Sequence, residues 1–211
     1  MPILNFKERY IRYSMQHNVE NNNIVHGVSG CWNQLGAIGL LSLLGPMCPT
    51  PSFLKPLFEF NPELNVEFTP AVFVFFYNFF IGLLFDPIYA LFYLPWGMSQ
   101  LGIAAYIIKH NEDAFHYAYL AFTLSILANL LSHIFIEKNK PSLFVGDYAS
   151  FLFSPFFSNL NCVLYFGYRP YFYYECRDEI DDRIAAIKEK EEKENKAARK
   201  AVTSTPSKKK I

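Results

Sequence analysis

The sequence predicts an all-α membrane protein with four or five hydrophobic helices and a charged C-terminal helix. Hydrophobic residues make up 52% of the 211 residues, and Phe alone occurs 22 times. Charged residues are sparse between residues 28 and 168 but dense from residue 175 onwards. A soluble protein mixes charges along its helices, so this separation predicts a membrane-embedded domain over residues 1–174 and a charged cytosolic helix and flexible tail over residues 175–211.

The candidate membrane spans are long apolar runs that end at proline or at charged residues. Pro46 ends the first run, and Asp86-Pro87 separates the second from the third. A polar turn at residues 109–113 precedes the last run, which is the clearest full-length span. The four candidate spans are residues 28–47, 71–85, 88–108 and 114–136.

A further apolar stretch, residues 148–168, has polar residues and Pro155 in its middle. A helix that faces lipid does not carry so many polar groups at its centre, so we expect two half-helices that form a re-entrant hairpin. Residues 175–200 are acidic early and basic late, an arrangement that suits the dipole of a single charged helix.

Two of the five histidines form the first candidate site. An imidazole beside an apolar segment is costly unless it is hydrogen-bonded or binds something. Tyr13 and His17 share a helix face, as do Asn22 and His26, because each pair is four residues apart. A turn at residues 21–23, where Asn is favoured, brings the two histidines together; otherwise they are two separate residues at a membrane surface.

The second candidate site lies at the end of the last span. Asn129, His133 and Glu137 follow one another in steps of four and therefore share one helix face. A carboxylate one turn from a histidine can orient its ring or bind the same metal. The alternative is that Glu137 faces water and pairs with Lys138 or Lys140.

Several common sites are excluded by the pattern. The chain has too few histidines, and no H-x-x-x-H box, for a membrane di-iron enzyme. It lacks the cysteine pairs or H-E-x-x-H of a zinc site, the phosphate loop, and a basic surface for nucleic acid. A single iron with few histidine ligands and open positions is compatible. A haem or quinone protein with paired histidines, and a non-enzymatic membrane scaffold or lipid-binding protein, stay open as alternatives.

Over roughly residues 6–185 the chain resembles the 2-hydroxy fatty acid dioxygenase family of phytosphingosine breakdown. The family pattern Y-x-x-x-H-x-x-x-x-N-x-x-x-H is matched by Tyr13, His17, Asn22 and His26. A stretch similar to L-Y-L-P-x-G occupies residues 92–97. The pattern Q-x-x-G-H-x-x-x-E-K-x-x-P-A-L is matched by Asn129, Ser132, His133, Glu137, Lys138, Pro141, Ser142 and Leu143, with Asn, Ser and Ser in place of Gln, Gly and Ala.

The resemblance implies an iron(II)-dependent dioxygenase that uses molecular oxygen to convert long-chain 2-hydroxy fatty acids to acids one carbon shorter. It also implies a set of site residues. The expected metal ligands are His17, His26, His133 and His110, the last lying near a further histidine of the family. Glu137 joins the first three as a catalytic residue, and the expected substrate-binding residues are Lys138, Lys140, Asn22 and Tyr13.

The expected location is the endoplasmic reticulum membrane, with several passes and both termini in the cytosol. Lys7, Arg9 and Arg12 favour a cytosolic N-terminus. Four spans and a hairpin return the C-terminus to the same side. The final residues 208–211, Lys-Lys-Lys-Ile, resemble the dilysine retrieval signal of endoplasmic reticulum membrane proteins.

Overall fold

The computed structural model describes residues 5–59, 61, 63–138 and 148–204. Lys140 and residues 205–211, which include the dilysine pattern, lie outside the described residues. All regular secondary structure in the described part is helical, which confirms the predicted all-α class. The chain divides into two compact units, residues 1–168 and 169–211.

The described part of the first unit contains seven α-helices and one π-helical turn. In chain order these are α1 (Phe6–Met15), α2 (Glu20–Ser42), α3 (Lys55–Phe58), α4 (Ala71–Phe85), α5 (Pro87–His110), α6 (Ala114–Ser132), the π turn (His133–Glu137) and α7 (Tyr148–Tyr165).

Helix α2 lies at the centre of this unit and packs against α4, α5, α6 and α7. Its contact with α6 is close because Gly36 faces the partner backbone: a Cβ at this position would lie 2.5 Å from the amide nitrogen of Phe122. A glycine is therefore required where the two helices cross. This packing brings the start of α2 beside the end of α6, where the two histidine motifs lie.

The prediction of two half-helices at residues 148–168 is wrong, since α7 is a single helix that continues past Pro155. Its central polar side chains do not face lipid. They are buried and bonded to neighbouring helices: Ser158 donates to the carbonyl oxygen of His26, Asn159 donates to Gln34, and Asn161 accepts from the hydroxyl of Tyr10. Because proline removes only one hydrogen bond and these side chains are satisfied inside the protein, the helix does not need to break.

Two helical segments of the described residues, Pro87–His110 and Ala114–Glu137, are long and apolar enough to cross a membrane. In the most apolar 18-residue window of the second segment only 17% is buried, whereas the core helix of a soluble protein is mostly buried. Its exposed side carries large apolar residues such as Leu124 and Phe135, as a lipid-facing surface does. Four or five spans stay a prediction, because α4 has only 15 residues and α2 carries polar residues along its length.

The second unit contains α8 (Pro170–Ser204). A charged helix over residues 175–200 is therefore confirmed. Ion pairs one turn apart, such as Arg183–Glu179 and Lys193–Glu189, lie along it. Each exposed pair adds only about 0.3–0.5 kcal/mol to the stability of the helix.

Candidate metal centre

Three histidines from distant parts of the sequence meet in the first unit. The ring centroids of His17, His26 and His133 lie 4.5 to 4.9 Å apart. One ring nitrogen from each lies within 4.8 Å of the others, and all three residues are buried. Three converging imidazoles can bind one metal ion.

A chain break after α1 places His17 beside His26. Helix α1 ends at Met15, and α2 begins at Glu20. The predicted turn at residues 21–23 is therefore wrong, because these asparagines form the first turn of α2. Asn23 accepts a hydrogen bond from Asn161 at 3.0 Å, a tertiary contact that outweighs the turn preference of Asn.

Helix α1 also fixes the orientation of the His17 ring. The Nδ1 atom lies 2.9 Å from the carbonyl oxygen of Tyr13, and the Tyr13 ring stacks on the imidazole at 4.3 Å. A carbonyl only accepts hydrogen bonds, so in the neutral ring Nδ1 carries the proton and Nε2 keeps its lone pair. Backbone orientation of this kind prepares a histidine to bind a metal.

The π turn after α6 positions His133 and Glu137. Oε2 of Glu137 lies 2.9 Å from Nδ1 of His133, and both side chains are buried. The contact has the distance of an ion pair but not the angle of a hydrogen bond. Nδ1 of His133 and both carboxylate oxygens therefore have no hydrogen-bond partner among the described residues. A buried carboxylate without hydrogen bonds is costly unless a positive charge lies nearby. A metal cation held by the three histidines would supply that charge.

Unsatisfied polar groups also lie near His26. Its Nε2 atom is 3.4 Å from the Ser132 hydroxyl, a long and weak contact. Asn22, one helical turn earlier, is completely buried, and neither amide atom has a hydrogen-bond partner among the described residues. Leaving such groups unpaired costs about 1–3 kcal/mol. The site therefore contains buried polar groups that the described residues leave without hydrogen-bond partners. A polar ligand could supply those hydrogen bonds.

Burial keeps the two N-terminal histidines neutral. It lowers the pKa of His17 to about 4, although the nearby charge of Glu137 opposes the shift. Burial, together with the neighbouring histidines, lowers the pKa of His26 to about 2. Both rings are therefore unprotonated at neutral pH, and a metal needs the lone pair of a neutral imidazole.

The structure does not bring His110 to the three histidines. It lies exposed at the end of α5, with Nε2 3.0 Å from Oε2 of Glu63. His116 is 73% exposed beside Asp113 and does not join the three histidines. Lys138 is exposed and ends the π turn with a left-handed backbone, φ 55°.

Two serines complete the surroundings and were not predicted as site residues. Ser132 contacts the His26 ring, and Ser158 holds the His26 carbonyl oxygen at 2.8 Å. Ser132 is the position where the family pattern has Gly, so the departure from that pattern was the available signal. Ser158 had none, since it lies in the segment expected to form a hairpin.

The comparisons with known proteins agree with the motifs. No curated protein and no solved structure matches the chain. The model of one family, described as 2-hydroxy-palmitic acid dioxygenase Mpo1-like, matches residues 3–164. The match includes all three histidines of the centre, and the family's name implies dioxygenase activity on a 2-hydroxy fatty acid. The resemblance inferred from the two histidine motifs is thereby confirmed, and the chain belongs to the Mpo1-like family.

Proposed function

We propose that the protein is an iron(II)-dependent dioxygenase that shortens long-chain 2-hydroxy fatty acids by one carbon, at the endoplasmic reticulum membrane, during phytosphingosine breakdown. The observation that carries the proposal is the buried cluster of His17, His26 and His133 beside the unsatisfied carboxylate of Glu137. In a family named for 2-hydroxy-palmitic acid dioxygenase, these residues are the natural place for a redox metal.

The donor set suits iron better than the common alternatives. Three imidazole ligands leave open coordination positions, which an oxygenase needs for its substrates. Among the described residues, no cysteine belongs to the cluster of His17, His26 and His133, so a metal bound by thiolates is not favoured. The buried negative charge of Glu137 suits a divalent cation.

The overall reaction balances with molecular oxygen alone. The 2-hydroxy acid and one O₂ give the shortened acid, CO₂ and water, as the bond between C1 and C2 breaks. Iron(II), when bound, supplies the redox chemistry with oxygen. A 2-hydroxy acid offers a carboxylate and a hydroxyl on adjacent carbons, so it can be held at two points, and this orients the reacting bond.

The chain's own residues bind and orient the substrate and the histidine rings, and they exclude water from the site. Tyr13 holds the His17 ring through its carbonyl oxygen, and Oε2 of Glu137 lies 2.9 Å from Nδ1 of His133, where it can orient that ring. Asn22 offers an unpaired amide to the substrate's polar end. Lys138, which is exposed directly after the π turn, attracts the carboxylate as it approaches. Lys140 is proposed for the same role.

The test is turnover by the purified, iron-loaded protein. A long-chain 2-hydroxy acid is incubated with iron(II) and oxygen, and chain lengths are measured by mass spectrometry. We expect a product one carbon shorter, loss of turnover on chelation, and poor reaction of the acid that lacks the 2-hydroxyl. Unchanged substrate with a folded, iron-loaded protein would instead support a scaffold or lipid-binding role.

A further inference from the structure

A cavity of about 380 Å³ begins at His26 and runs along one face of α2. That face presents His26, Gly30, Gln34 and Ala37, which recur at helical spacing. Helix α4 contributes Phe73, Val74, Tyr77 and Asn78, α6 contributes Asn129, and α7 contributes Pro155 and Ser158. The volume lies in the range of sites for small molecules, about 300–1,000 Å³.

The direction of α4 shows which end of the cavity is remote from the metal centre. Phe85, the last residue of α4, packs against Phe157, and Phe157 stacks on Tyr13 beside His17. The end of α4 therefore lies near the histidines, and its first turn lies away from them. Phe73 and Val74 of that first turn form the remote end of the cavity.

Polar residues in the wall are largely satisfied inside the protein. The amide of Gln34 bonds to Tyr93 and Asn159, and Asn129 accepts from Ser29. Ser158 donates to the backbone of His26. Asn78 donates to the carbonyl oxygen of Val74, and its Oδ1 has no hydrogen-bond partner among the described residues. Because the other polar groups named here already have partners, most of the wall does not require a polar ligand and can accept an apolar one.

The length and position of the cavity suit an acyl chain. Ala37 follows His26 by 11 residues, so the two lie about 16 Å apart along the helix axis at about 1.5 Å per residue. One leaflet of a bilayer is about 15 Å thick in its hydrocarbon part, half of about 30 Å. Helices α4 and α6 each pack against α2, so the cavity lies in the cleft between two apolar helices.

We propose that this cleft between α4 and α6 holds the acyl chain of the substrate, and that Val74 sets the chain length accepted. The inference rests on the proposed function for the identity of the ligand. The carboxyl end lies beside His26, and the methyl end lies against the first turn of α4. The chain thus stays in apolar surroundings while its polar end reaches the metal centre.

Photolabelling of the intact, metal-free protein tests where the chain binds. The probe is a long-chain 2-hydroxy acid with a diazirine near its methyl end, and labelled peptides are mapped by mass spectrometry. We expect label at the start of α4, around Phe73 and Val74. Label confined to the exposed side of α6 would overturn the inference. This measurement needs no turnover, so it decides the inference even if the proposed reaction fails.

Substitution of Val74 tests the selection of chain length. Val74→Phe narrows the remote end, so kcat/KM for a long-chain acid should fall about tenfold or more, while that for a medium-chain acid changes much less. Val74→Ala, which removes atoms rather than adding them, should shift the preference to longer chains. Val28→Phe is the matched control, since Val28 is 59% exposed and does not line the cavity.

The two variants separate this inference from the proposed function. An active enzyme whose chain-length profile is the same in Val74→Phe, Val74→Ala and the wild type would refute the inference and leave the proposed function intact. Label at α4 in a protein without turnover would refute the proposed function and keep the acyl-chain site.

Discussion

Glu137→Gln tests whether the buried carboxylate serves a metal or only supports the fold. The side chain is 1% exposed and receives no hydrogen bond from the described residues, so desolvation destabilises its negative charge unless a cation lies nearby. Gln keeps the shape and removes the charge. We therefore expect the metal-free variant to be as stable as the wild type or more so, and the metal-bound variant to be weakened.

The magnitude follows from linkage between binding and stability. Loss of a residue that supports a metal ligand typically weakens metal affinity by about 10–100-fold. At iron(II) equal to about 100 times the wild-type Kd, binding stabilises the wild type by about 2.7 kcal/mol. The same iron concentration would stabilise the variant by only about 1.4 kcal/mol for a tenfold loss, or about 0.4 kcal/mol for a hundredfold loss.

The assay measures Tm of both proteins in detergent, with and without anaerobic iron(II). Glu63→Gln is the matched control, because Glu63 is 61% exposed and pairs with His110 away from the cluster. We expect it to keep the full iron-dependent shift. If Glu137→Gln lowers the Tm of the metal-free protein and leaves the iron-dependent shift unchanged, Glu137 supports the fold through His133 and the reasoning is refuted.

Three further predictions follow from the centre and from the sequence. Iron binding and turnover should be abolished by each of the substitutions His17→Ala, His26→Ala and His133→Ala. The turnover of His116→Ala should stay within about twofold of the wild type, because His116 is exposed and lies away from the cluster. Measurements of iron content and turnover check this prediction. The metal-free protein should lose stability as pH falls from 6.5 to about 4. Because the pKa of folded His17 lies below that of the unfolded chain, the unfolded state binds more protons in this window, and His17 contributes a loss of about 3 kcal/mol by pH 4. His26, whose pKa is lowered further, adds a loss over the same window. In pH-dependent unfolding, His17→Gln should therefore reduce the dependence on pH without removing it. Changing Lys208 and Lys209 to Ser should move the protein out of the endoplasmic reticulum in fluorescence microscopy, and unchanged location would exclude the dilysine signal.

The sequence predicted the members of the centre better than the backbone that assembles them. Spacing placed His133 and Glu137 on one helix face, and the structure brings them to 2.9 Å of each other. The convergence of His17 and His26 required a break between two helices. The break was expected at residues 21–23, but it lies at residues 16–19. The local sequence around Asn23 predicts a turn. The contact that favours the helix instead comes from Asn161, which is 138 residues away and which the local sequence does not reveal.

Helix α7 shows why local polarity misled the prediction. Ser158, Asn159 and Asn161 look wrong for a lipid-facing helix, and a lone segment with these residues would indeed have to break. Their partners lie on α1 and α2, more than a hundred residues earlier. Polarity in an apolar segment therefore predicts a polar neighbour as readily as it predicts a break, and only the tertiary structure distinguishes the two.

The same polar contacts explain how a metal centre can form where an apolar body begins. Ser158 on α7 holds the His26 carbonyl oxygen, and the Tyr13 carbonyl on α1 holds the His17 ring. The Ser158 side chain thus fixes the backbone at His26, and a backbone carbonyl of α1 fixes the ring of His17. In the proposed function, these contacts would hold the two histidines in place while a bound 2-hydroxy acid lies with its polar end at the histidines and its acyl chain in the cleft along α2.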